Sequence, residues 1–149
     1  MGEPLTSFGY ASGLPGHDAE QHYQRRLRVL VVEDEWLIGM ATEMALRERG
    51  HYVVLTGDGQ AGLDVLCSQA AFDVVVTDRQ MPRMTGDVLV EKLRPNWPTL
   101  PVIVVTANAD PEAQKRLRLL GGPISTLIKP VDCEIVVNEV ERIAVGHSS

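Results

Sequence analysis

The chain has 149 residues, 44% of them apolar and 23% charged, and a net charge of −6. That length can bury the core of one domain, and the acidic balance argues against sequence-independent nucleic-acid binding, which needs clustered Lys and Arg. No apolar run approaches the roughly 20 residues that span a bilayer, and Met1-Gly2-Glu3-Pro4 lacks the basic and apolar segments of a secretory signal.

Residues 1–25 are rich in Gly, Pro, Ser and polar residues without a sustained period, and read as an amino-terminal tail that is disordered or loosely docked through its sparse apolar residues Leu5, Phe8, Tyr10 and Leu14. Residues 26–146 are expected to form one domain, and 147–149 a short carboxyl-terminal tail. Arg28 to Val32 reads as a strand buried on both faces. The next helix carries Leu37, Met40, Ala41 and Met44 at helical spacing, with Trp36 at its start expected to be partly buried against a loop. Arg47 and Arg49 lie near its end, and Gly50 supplies the stop.

Tyr52 to Thr56 is the second strand. Asp58 caps a helix to about Ser68, with Ala61, Val65 and Leu66 facing inward. Phe72 to Thr77 is the third strand and delivers Asp78. The loop Gln80 to Thr85 leads to a helix over Asp87 to Leu93, ended by Pro95 and Pro98. Val102 to Val105 delivers Thr106, and Pro111 opens a helix to about Leu120. Gly121-Gly122-Pro123 breaks it. Ser125 to Ile128 delivers Lys129, and Asp132 caps a last helix to about Val145. Five strands alternating with five helices imply an α/β fold: a doubly wound parallel sheet with right-handed crossovers.

Four strand ends therefore carry the chemistry: Glu33, Asp34, Asp78, Thr106 and Lys129. The first and third strands are neighbours in the order 2-1-3-4-5, which brings the three carboxylates to the switch point where such sheets bind ligands. Three carboxylates there repel one another without a cation. Mg²⁺ suits them, with Mn²⁺ as substitute, and the backbone carbonyl of Gln80 offers a further oxygen. A carboxylate can attack phosphorus, and the cation, the Lys129 ammonium and the Thr106 hydroxyl would stabilise the charge that spreads over the equatorial oxygens. Glu35 reads as a first-turn helix carboxylate rather than a ligand. Thr85 and Gly86 read as turn and helix-start residues. His17, His22, His51 and His147 do not fit a phosphodonor or metal site. Cys67 and Cys133 lack CxxC spacing and read as free, half-buried thiols in a reducing cytosol.

From about Leu27 to Val145 the chain resembles the receiver domain of two-component response regulators. The matching stretches are Val31-Val32-Glu33-Asp34-Glu35, Asp58-Gly59, Val76-Thr77-Asp78-Arg79-Gln80-Met81-Pro82, Met84-Thr85-Gly86, Val105-Thr106-Ala107 and Ile128-Lys129-Pro130. The resemblance implies a flavodoxin-like (βα)5 fold. It implies that Asp78 takes a phosphoryl group from a histidine kinase or a histidine phosphotransfer protein. Glu33 and Asp34 would hold Mg²⁺, Thr106 would move to the phosphoryl oxygen, and Lys129 would pair with it. The expected protein is a cytoplasmic, stand-alone response regulator without a turnover activity of its own. Its homodimer or downstream partner would dock on the face of the fourth helix, fifth strand and fifth helix. The alternative is a phosphorylation-independent interaction module of the same fold. An aspartyl-phosphate phosphatase is disfavoured because Gln80 stands where such enzymes want a second acid.

Four positions depart from or qualify the family pattern. Thr126 stands where the family usually has an aromatic residue that reports the movement of the Thr. Arg79 replaces an often apolar residue and is expected to face solvent. Gln80 and Asn108 occupy positions where family members tune acyl-phosphate lifetime.

Overall fold

The structure, a computed structural model, describes residues 25–148, so the expectation of an amino-terminal tail falls outside it except at Arg25. The elements are β1 (Arg28–Val32), α1 (Trp36–Glu48), β2 (Tyr52–Thr56), α2 (Gly59–Ser68), β3 (Val74–Asp78), α3 (Gly86–Leu93), β4 (Val102–Thr106), α4 (Pro111–Leu119), β5 (Ile124–Ile128) and α5 (Cys133–Ser148). All strand pairs are parallel, in the order β2-β1-β3-β4-β5. The expected order 2-1-3-4-5 and the doubly wound fold are therefore the observed ones. Helix α5 continues to Ser148, beyond the end near Val145 that the sequence suggests, and takes in His147 and Ser148.

Strands β3 and β4 are buried along their whole length, because helices cover both faces of the sheet. Alternation divides the core in two. Val29, Val31, Val74, Val76, Ile103 and Val105 pack against Val136, Val137 and Val140 of α5. Leu30, Val32, Val75, Val102 and Val104 pack against Leu66 of α2, Leu89, Val90 and Leu93 of α3 and Leu117 of α4.

Local chemistry sets the helix ends. Asp58, Thr85 and Asp110 each accept a hydrogen bond from a backbone N–H three residues on, which caps α2, α3 and α4. Gly50, at φ 92°, follows α1. Glu35 stands at the cap position of α1 rather than in its first turn, and its side chain makes no cap bond.

Two faces differ from the sequence reading. On α1 the buried residues are Gly39, Thr42 and Leu46, while the apolar stripe of Leu37, Met40 and Met44 faces outward with Trp36. Gly39 is needed where it lies, since a Cβ there would stand 2.9 Å from Leu55. On α2, Gly62 and Leu66 are buried, and Ala61 and Val65 only partly so. Cys67 is exposed rather than half-buried, because its helix ends with that face toward solvent; Cys133 is half-buried. Among the described residues, no helix is long and apolar enough to cross a membrane.

Buried polar groups brace the end of the sheet away from the strand C-termini. His51 accepts the Leu27 N–H on Nδ1, so its Nε2 carries the proton and donates to Glu141 at 2.8 Å. Arg94 donates to the carbonyls of Trp97, Leu100, Gly121 and Pro123.

Candidate functional site

The parallel register places the C-termini of β1, β3, β4 and β5 on one edge. Val32 lies beside Thr77, Asp78 beside Val105, and Thr106 beside Ile128. The residues that follow these strands therefore converge. Carboxylate oxygens of Glu33, Asp34 and Asp78 all lie within 4.8 Å of one another. Glu33 and Asp78 are buried and Asp34 is exposed. Lys129 Nζ stands 2.7 Å from Asp78 Oδ1, and the Lys129–Pro130 bond is cis.

Burial raises the Glu33 pKa to about 7. The Glu35 N–H, 3.1 Å from Glu33 Oε2, opposes that shift, whereas the charges of Asp78 and Asp34 add to it. Partial burial pulls Lys129 down, but the hydrogen bond and charge of Asp78, with Glu33 and Glu35, outweigh it and hold the ammonium above its ordinary value. An oxygen-rich cluster with one buried acid held protonated near neutrality and one acid neutralised by an ammonium fits a hard divalent cation. Such an ion would replace the proton on Glu33 and relieve the repulsion.

Thr106 is buried at the end of β4, next to the strand of Asp78. Its Oγ is within 3.3 Å of both the backbone N and O of Asn108, so its hydrogen bonds go to the chain after β4. Gln80 is exposed at the start of the 80–85 loop. Thr126 is half-buried on β5 beside Val104.

Arg79 corrects the sequence reading. It is 8% exposed, and its Nε donates to Asp87 at 2.8 Å. Alternation explains this: Asp78 continues the face of Val74 and Val76, so Arg79 turns to the face covered by α3. The signal in the sequence was the position of Arg79 one step past a run buried on both faces, with Asp87 in the first turn of the next helix. A second feature the sequence did not disclose is an apolar cavity of about 510 Å³ between α1 and α5. Ile38, Thr42, Val76, Val105 and Val136 line it together with Asp78 and Lys129. On the α1 side its lining is Ile38, Ala41 and Thr42, while the longer Leu37, Met40 and Met44 face outward.

Solved structures share this architecture. A CheY-like response regulator receiver domain protein from Methanospirillum hungatei superposes with a TM-score of 0.76 over 83% of this chain and 98% of its own, at 23% identity, which shows the fold. The Vibrio cholerae chemotaxis protein CheY4 gives a TM-score of 0.73 at 27% identity, over 80% of this chain and 99% of its own. Among curated relatives, the sensor histidine kinase RcsC of Salmonella typhimurium is 35% identical over 89% of this chain and 14% of its own length. The response regulator protein FleR of Pseudomonas aeruginosa is 34% identical over 80% of this chain and 25% of its own. The probable transcriptional regulatory protein TcrX of Mycobacterium tuberculosis is 37% identical over 73% of this chain and 46% of its own. The chain thus spans less than half the length of these three relatives. Residues 29–141 match the response regulator receiver domain, and the chain belongs to that family.

Proposed function

We propose that this protein accepts a phosphoryl group on Asp78 from a histidine kinase or a histidine phosphotransfer protein and signals through a shift of its partner-binding surface. The observation that carries this reading is the pairing of Lys129 Nζ with Asp78 at 2.7 Å, beside two further carboxylates within 4.8 Å. Glu33, Asp34 and Asp78, with the Gln80 carbonyl, would hold Mg²⁺ or Mn²⁺. Bound there, the cation supplies charge neutralisation for the transferring phosphoryl group. An Asp78 oxygen forms the bond to phosphorus as the donor's P–N bond breaks. Lys129 then pairs with a phosphoryl oxygen, and the Thr106 hydroxyl turns from Asn108 to another.

The phosphodonor must approach the edge where Asp78 opens. The exposed apolar residues of α1 that begin at that edge, Trp36, Leu37, Met40 and Met44, suit contact with a donor's own apolar surface. Output is assigned to the face of α4, β5 and α5, where Leu119, Leu120, Ile128 and Ile135 are exposed. A homodimer or a downstream protein would cover them.

The test is the intact mass after incubation with acetyl phosphate and Mg²⁺. Wild type is expected to gain one phosphate and Asp78→Asn none. A folded wild type that gains no phosphate, and shows no spectral response to beryllofluoride with Mg²⁺, would overturn the reading in favour of a phosphorylation-independent interaction module.

A further inference from the structure

Arg79 follows the phosphoacceptor directly, yet the chemistry above gives it no part. Its side chain lies on the opposite face of the sheet from the Asp78 carboxylate, so it cannot touch the cation or the phosphoryl group. It is instead tied to α3. Nε donates to Asp87 Oδ1 at 2.8 Å, with the two side chains only 9% and 23% exposed. The Arg79 carbonyl accepts the Gly86 N–H at 2.8 Å. Gly86 itself is pressed onto the peptide after Asp78, where a Cβ would stand 2.4 Å from the Asp78 carbonyl oxygen. These contacts clamp the first turn of α3 against the phosphoacceptor strand and close the loop 80–85 between them. That loop begins with Gln80 and holds Arg83 at φ 68°.

The clamp is a poor device for stability alone. Arg79 Nη2 is buried without a hydrogen-bond partner. A buried cation with one partner and an unsatisfied donor contributes little against an apolar side chain of the same length.

We propose that Arg79 is a positioning residue for the cation site: through Asp87 it fixes the first turn of α3, and so holds the 80–85 loop in its cation-binding arrangement. The proposal rests on the reading of Glu33, Asp34 and Asp78 as a divalent-cation site. It predicts a sign opposite to that of simple electrostatics. As a bare charge, Arg79 repels a cation bound to the three acids, and removing it would tighten binding. As a latch, removing it leaves the loop to be ordered by the ion, and binding weakens.

Mn²⁺ is the probe, with the free ion counted by its electron paramagnetic resonance signal. Wild type, Arg79→Met, Asp87→Asn and the double variant are titrated, and each is unfolded in urea without metal. The expected result is a Kd raised roughly fivefold in each single variant and no further in the double. The urea midpoint of Arg79→Met should stay near that of wild type, since Asp87, 23% exposed, keeps contact with water when its partner is lost. Arg79→Leu, which also removes the positive charge and leaves Asp87 in place, carries the test should Arg79→Met fold poorly, while Asp87→Asn serves only to close the double-variant cycle. A Kd for Arg79→Met equal to or below that of wild type overturns the proposal, as do single effects that add in the double variant. Failure of wild type to take up Mn²⁺ overturns the cation-site reading itself, a result distinct from unaltered variants beside a binding wild type.

Discussion

Glu33 ionises near 4.5 in the unfolded chain, but burial holds its proton to about pH 7 in the folded protein. Between those values the native state binds more protons than the unfolded one. The stability this contributes is complete below about pH 4.5 and is lost as the pH rises through about 7. The loss is on the order of 3 kcal/mol without metal. Urea midpoints of the metal-free protein should therefore fall from pH 5 to pH 8 relative to those of Glu33→Gln. Mg²⁺ should remove the difference in slope, because the cation displaces the proton. A wild-type profile that runs parallel to the Glu33→Gln profile would contradict this. Gly86 makes a second demand at the same edge. Its role is space rather than backbone freedom, since the atoms that a Cβ would meet belong to Asp78 and Arg79. Gly86→Ala should cost about 2 kcal/mol of stability and lower the extent of phosphorylation by acetyl phosphate, measured by urea unfolding and intact mass. A variant as stable and as readily labelled as wild type would show that the backbone gives way freely.

At the scale of elements, much was legible because the strands carry their chemistry at their ends. Continuous Val-rich runs marked β1, β3 and β4 as strands, the first of them as buried on both faces, and each ended on a residue that the fold brings to one edge. The helix faces were less legible. Helix α1 has apolar residues on more than one side, so spacing could not say which stripe turns inward. Close approach to Leu55 and Glu33 demanded Gly39, and the larger residues were left outside. Arg79 was expected in solvent, and Arg94 was passed over, for a shared reason. Sequence patterns treat arginine as a surface residue, whereas a guanidinium can be buried when its donors find fixed acceptors. Arg94 does so fully, at 5% exposure, with four backbone carbonyls around it. Burial lowers its pKa. Arg94→Met would leave those carbonyls without their donor and should cost about 2–4 kcal/mol, seen as a lower Tm. The brace lies far from Asp78, so the folded variant should bind Mn²⁺ as wild type does. A changed Kd would mean that the two ends of the sheet are coupled.

Across the whole molecule, the rigid and movable parts separate by burial. Strands β3 and β4 are buried throughout, while residues 107–110 after Thr106 are all exposed. The hydrogen bonds of Thr106 Oγ to the backbone of Asn108 tie that exposed segment to the end of β4. If the hydroxyl turns toward a phosphoryl oxygen, the Asn108 N–H loses its acceptor, and the segment leading into α4 is released from the strand. No aromatic ring at position 126 follows the movement, because Thr126 is too small to fill the space a ring would take. On the proposed reading, the signal would then travel along the chain from 107 into α4 rather than across β5. Hydrogen exchange with beryllofluoride and Mg²⁺ checks this. Exchange should change within residues 107–122 and stay constant in β1 and β3, and Asp78→Asn should show neither response. A change confined to β5 and α5, with 107–122 unaltered, would mean that the output runs through the edge strand despite the small side chain there. An altered Asn108 amide with a quiet α4 would mean that Thr106 turns but α4 remains fixed.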